Sequence, residues 1–90
     1  MTPSILLTTL NARYMHSAFG LRYLYANLGN LQSQAALLEF TISERALDIA
    51  EKLLALDPEI IGFSVYIWNA REIGEVVEII HEIAPQIIII

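Results

Sequence analysis

The chain has 90 residues, enough for one small domain, and 56% hydrophobic against 17% charged side chains gives it a rich core and excludes a disordered chain. It has no cysteine, which removes disulfides, thiolate metal sites and cysteine nucleophiles and leaves the redox compartment open. The formal net charge of -5 is a mild argument against general nucleic-acid affinity, but Glu39 is the first acid, so Arg13 and Arg22 leave the front third favourable to an anion.

The start lacks a basic segment followed by an apolar run and a small-residue cleavage site, so no secretory signal is read. No apolar run approaches the ~20 residues that span a bilayer. The expectation is a soluble cytoplasmic protein with no membrane or nucleic-acid partner.

In chain order, Ile5 to Leu10 is a short apolar, partly β-branched run, as a buried strand requires. Asn11 to Phe19 is polar and irregular. Gly20 opens a helical pattern with Leu21, Leu24, Tyr25, Leu28 and Leu31 on one face. Asn30 to Gln34 is turn-like, and Ala35 to Ile42 is the second strand. Ser43 is placed to cap the next helix, with Glu44 in its first turn. Ala46, Leu47, Ala50, Leu53 and Leu54 repeat at helical spacing until Asp57-Pro58 stops them, because a residue before proline avoids the helical region. The third strand is read over Ile60 to Trp68. Asn69 follows as a helix cap with Glu72 three residues on, a variant capping box. Ile73, Val76, Val77, Ile80, Ile83 and Ala84 form the apolar stripe of the last helix, with Glu72, Glu75, Glu78 and Glu82 opposite. Pro85 closes that helix, and Ile87 to Ile90 begin a fourth buried strand.

Strands alternating with helices imply parallel pairing and right-handed crossovers. The fold class is therefore α/β, a doubly wound parallel sheet in strand order 2-1-3-4. An apolar edge at the terminal isoleucines is an aggregation hazard. It leads to the expectation that residues 1–90 are part of a domain cut in or just after its fourth strand, or that a partner chain covers the edge, as in a homodimer through the C-terminal strand.

Several sites are excluded by their residues. There is no glycine-rich dinucleotide fingerprint after the first strand and no Walker-type loop. A phosphoacceptor receiver wants acids after the first strand, where Asn11 stands. A flavodoxin wants a Ser/Thr/Gly-rich phosphate loop, where this chain has Arg, Tyr, Met and His. What remains is a pair of loops. In a 2-1-3-4 sheet the first and third strands are neighbours, and their C-terminal loops flank one crevice. Asn11, Arg13, Tyr14, His16 and Ser17 then face Ser64, Tyr66, Trp68 and Asn69. Aromatic plates, hydrogen-bonding side chains, one guanidinium and one imidazole suit a large, flat, amphipathic ligand with polar fringes.

The stretches ILLTTLNARYMHSAFGLRYLYANL and ERALDIAEKLLALDPEIIGFSVYIWN resemble the N-terminal cobalamin-binding domain of bacterial radical-SAM proteins, the relatives of the anaerobic magnesium-protoporphyrin monomethyl ester cyclase. The resemblance spans nearly the whole chain. It implies a flavodoxin-like fold holding the corrin over the strand C-termini, with the cofactor's nucleotide tail running down beside the sheet. It also implies a downstream radical-SAM domain, carrying S-adenosylmethionine and an iron-sulfur cluster on three cysteines, in the parent enzyme. The segment of 90 cysteine-free residues would hold cofactor and have no turnover alone.

The chain departs from the cobalamin motif of methyltransferases and mutases, Asp-x-His-x-x-Gly, in which the His ligates cobalt. Tyr14 stands two residues before His16 and Gly20 is out of register by one, so the full motif fails. Of the family's Ser-x-Leu element only the serine survives, in Ser64-Val65-Tyr66. Each residue keeps a plainer reading beside the functional one. His16 is a cobalt ligand through a neutral imidazole nitrogen or a polar loop residue. Ser64 bonds the cofactor tail or satisfies a strand-end backbone group. Tyr66 and Trp68 shield the corrin or pack under the next helix. Arg13 meets a phosphate or propionamide or is solvated. The alternative for the whole chain is a non-catalytic interaction module of the same fold; a flavin or nucleotide binder is third, lacking its phosphate loop.

Overall fold

A computed structural model of the chain describes residues 3–11 and 19–90. Its elements run β1 (Ile5–Asn11), α1 (Phe19–Ala26), a 3-10 helix (Gly29–Gln34), β2 (Ala35–Thr41), α2 (Ala46–Leu54), β3 (Ile60–Phe63), α3 (Ala70–Ile83) and β4 (Ile88–Ile89). The four strands form one sheet in the order β2-β1-β3-β4, and every neighbouring pair is parallel. This is the doubly wound, flavodoxin-like arrangement expected from the alternation of strands and helices.

β1 is the central strand. It pairs with β2 from Ile5↔Ala35 to Asn11↔Thr41, and with β3 only from Ile5↔Ile60 to Thr8↔Phe63. The chain steps one way from β1 to β2 and the other way from β2 to β3 and β4. Right-handed crossovers then put α1 on one face and α2 and α3 on the other. The packing agrees. Leu6, Leu10 and Ile61 lie in one cluster with Ile49, Leu53, Val76 and Ile80. Leu7 and Leu21 form a second, smaller cluster with Ile5, Tyr25, Leu28 and Leu37. Truncating Ile49, Leu53 or Ile80 to alanine would cost about 2–5 kcal/mol, since each is fully buried.

Several boundaries differ from expectation for local reasons. α1 ends at Ala26, so Leu28 and Leu31 do not continue its stripe. The Asn27 side chain donates to the Tyr23 carbonyl (2.8 Å), and Gly29 takes a positive φ of 60°, which together end the helix and start the 3-10 turn. At α2 the cap position is Arg45, and no side chain caps it. Ser43 instead meets the Thr41 hydroxyl, while Glu44 accepts from the Thr41 amide (2.8 Å) and closes the turn. Arg45 grips Asp48 through two bonds of 3.0 and 3.2 Å, which hold the Asp48 carboxyl below the usual carboxylate range. α2 stops before Asp57-Pro58 as expected, with Asp57 at φ 49°, a conformation that Asp tolerates better than most. The largest difference is β3. It stops at Phe63, five residues before the expected end, and Ser64 to Asn69 turn away from the sheet as a loop.

Candidate functional site

The strand order reverses beside β1, so the crevice between the C-terminal ends of β1 and β3 is the place where open α/β sheets take their ligands. Two backbone-centred bonds fix this rim. The Ser64 amide donates to the Thr8 carbonyl (3.0 Å), and the Thr9 hydroxyl donates to the Ser64 carbonyl (2.6 Å). Both use the Ser64 backbone and leave its hydroxyl out of the rim's own bonds.

The loop that follows is apolar and outward-facing. Val65, Tyr66, Ile67 and Trp68 are all exposed, Ile67 completely. Tyr66 and Trp68 stack in parallel, with ring centroids 5.4 Å apart and planes 3° from parallel. That geometry makes a stacked two-ring plate at the rim, with each side chain about two-fifths exposed. A Cβ built on Gly20 would lie 3.8 Å from the Tyr66 hydroxyl, so the start of α1 and the loop after β3 meet.

Beside the plate, on the α1 side, lies a pocket of about 260 Å³. The sheet side supplies Leu7, Gly62, Ser64 and Ile90 to its lining, and α1 supplies Leu21 and Leu24. Gly62 keeps this space open: a Cβ there would stand 3.1 Å from Leu7 Cδ2. The pocket is mostly apolar, with Ser64 among its lining residues.

Asn11 is 5% exposed, and its amide donates to Glu39 Oε1 (3.3 Å). Glu39 in turn pairs with Arg22 of α1. The three side chains tie β1, β2 and α1 together at the C-terminal end of β1, so Asn11 has a bracing contact of its own. Asn69 also differs from expectation. It stands at the cap position of α3, but its side chain makes no cap bond. It is fully buried, accepts from the Tyr66 amide (2.7 Å) and donates to the Leu10 carbonyl (2.9 Å) and Thr9 Oγ1 (3.3 Å).

The structure thus brings Asn11, Ser64, Tyr66 and Trp68 to one rim. Arg13, Tyr14, His16 and Ser17 lie outside the described residues, on the segment joining β1 to α1. Sequence reasoning passed over Thr9, Gly62 and the Arg22–Glu39 pair. A lone acid inside the apolar run Ala35 to Thr41 was the available signal for the last of these. Among the described residues, no group of three or more His, Cys, Asp or Glu side chains is placed to hold a metal ion. No helix of the described residues is long and apolar enough to cross a membrane.

No curated protein gives a significant match to the chain. The family model described as B12 binding domain matches residues 5–90, which takes in every strand and the whole rim. With a parallel 2-1-3-4 sheet and an apolar pocket at its switch point, the chain belongs to the B12 binding domain family, a family of cobalamin-binding domains.

Proposed function

We propose that this domain holds cobalamin at the rim between β1 and β3 for a radical-SAM enzyme of the cyclase-related kind, in the cytoplasm. The observation that carries the reading is the juxtaposition of the Tyr66–Trp68 plate, the Ser64 side chain and the pocket over Gly62 at a single sheet edge. The residues fit the group. A corrin presents a broad apolar face with amide fringes, and its nucleotide tail ends in a flat heteroaromatic base.

Tyr66 and Trp68 offer aromatic surface and shield the face from water. Ser64 and Asn11 offer hydrogen bonds to the fringe or tail. Leu7, Leu21 and Gly62 enclose the apolar base. Arg13, Tyr14, His16 and Ser17, which lie outside the described residues, are the further cofactor-binding candidates, Arg13 as partner for a phosphate or propionamide. His16 is the chain's candidate cobalt ligand through a neutral imidazole nitrogen. When bound, the cobalt centre supplies methyl-transfer or electron chemistry; this chain's residues bind and orient it. S-adenosylmethionine and the iron-sulfur cluster belong to a separate radical-SAM domain.

A second reading, an interaction module of the same fold, draws on the exposed Ile88 and Ile90 at the β4 edge, where a second copy would add a strand. One experiment separates the two. Hydroxocobalamin is added to the protein at micromolar concentration, followed by gel filtration and a visible spectrum. Co-elution at one equivalent supports the cofactor reading. A cofactor-independent dimer that retains no cobalamin supports the interaction module.

A further inference from the structure

β1 is longer than the part of β3 that pairs with it. Its even-numbered carbonyls face β3: Ser4 accepts from the Glu59 and Ile60 amides, and Thr8 accepts from the Ser64 amide. The next carbonyl in that series, Leu10, lies beyond the end of β3, where the backbone has turned away. An unpaired carbonyl there would be buried at a cost. The Asn69 amide fills the place, donating to Leu10 O at 2.9 Å. The same side chain accepts from the Tyr66 amide at 2.7 Å, across the base of the exposed loop. The orientation of the amide is fixed, since turning it over would point its NH2 at the Tyr66 N–H and its oxygen at the Leu10 carbonyl.

We propose that Asn69 is the positioning residue of the cofactor rim: by replacing β3 on the edge of β1 while holding the Tyr66 backbone, it sets the Tyr66–Trp68 plate over the crevice. This rests on the cobalamin reading above. Asn69 touches no ligand; it acts through the loop. The bonds span elements 59 residues apart in sequence (Leu10 to Asn69), so the plate is registered to the sheet and not merely to the helix behind it. A preorganised plate binds more tightly than one that must be ordered on binding.

A helix cap and a positioning residue respond differently to Asn69→Ser. Serine caps helices as well as asparagine does, but it is too short to reach both Leu10 and Tyr66. Trp68 is the single tryptophan of the chain, so its emission and its quenching by acrylamide report the plate directly. For Asn69→Ser, with helix content by circular dichroism unchanged, the expected results are faster acrylamide quenching of Trp68 and a roughly tenfold weaker hydroxocobalamin affinity. Wild-type quenching, or a wild-type affinity beside altered quenching, would overturn the proposal.

If the variant fails to fold, amide exchange in the wild-type protein decides. The Tyr66 N–H is expected to be protected while the neighbouring Val65 and Ile67 amides exchange fast, and exchange as fast as that of Ile67 overturns the inference. If the wild-type protein binds no cobalamin, the cofactor reading falls by itself. The Trp68 and amide-exchange results then still decide whether Asn69 sets the loop.

Discussion

The Thr9 hydroxyl donates to the Ser64 carbonyl across 2.6 Å, joining the end of β1 to the first residue after β3 by a side chain where the ladder ends. Thr9 is fully buried, so removing the hydroxyl leaves a carbonyl without its donor. Thr9→Val is expected to lower unfolding free energy by about 1–3 kcal/mol, and Thr9→Ser to recover most of it. Urea unfolding of the two variants checks this; equal midpoints for both would contradict it.

Its neighbour gives the opposite expectation. Thr8 is also fully buried, yet among the described residues its Oγ1 has no hydrogen-bond partner. Strand alternation sets it with Leu6 and Leu10, toward α2 and α3 and away from the pocket. Thr8→Val keeps the shape and removes an unsatisfied hydroxyl. It should raise stability by about 1 kcal/mol, read as a higher melting temperature, with cobalamin affinity unchanged.

Gly62 lines the pocket beside Leu7. A valine there crowds Leu7, whose Cδ2 is 3.1 Å from the added Cβ, and fills part of the space beside Ser64. The expected cost in stability is about 1–3 kcal/mol. The diagnostic result is loss of cobalamin retention on gel filtration by a protein that remains folded at working temperature. A folded Gly62→Val variant that retains the cofactor like wild type would exclude this pocket as the tail site.

Glu39 holds Arg22 on one oxygen and the buried Asn11 amide on the other. Glu39→Ala should destabilise the domain by about 1–3 kcal/mol, more than Arg22→Ala. The first leaves a buried amide unbonded, and the second removes the partly exposed member of an ion pair. Denaturant midpoints of the two variants rank them, and the reverse order would count against the bracing role.

The topology was legible because it rests on gross alternation: apolar strands, amphipathic helices, and a chain direction that leaves few ways to pack them. Ala35–Thr41 and Ala70–Ile83 fall close to their expected bounds because period and stop residues agree there. The sequence makes β3 too long because Val65, Tyr66, Ile67 and Trp68 carry strand-like residues; the ladder ends at Phe63, and beyond it the Asn69 side chain bonds Leu10 and Tyr66. The same contact hid Asn69, since an Asn before a helix reads locally as a cap. Leu31 fits the α1 period, but the positive φ at Gly29 breaks the helix before it. The α2 stripe read from the sequence takes Leu47, which is half exposed, where the structure buries Ile49 completely. At the rim, the juxtaposition of the Ser64–Trp68 loop with the exit of β1 followed from strand order alone. The pocket over Gly62 did not, because it depends on a missing side chain opposite Leu7.

The central claim is that cobalamin sits at the edge where β1 and β3 end, within reach of the Tyr66–Trp68 plate. Titrating hydroxocobalamin into the protein while following Trp68 emission tests it most directly, because corrin absorption overlaps indole emission and the chain has one tryptophan. The account predicts saturable quenching that ends at one equivalent and is lost in Trp68→Phe. Emission that falls only as it does for free tryptophan at the same cobalamin concentrations would contradict it.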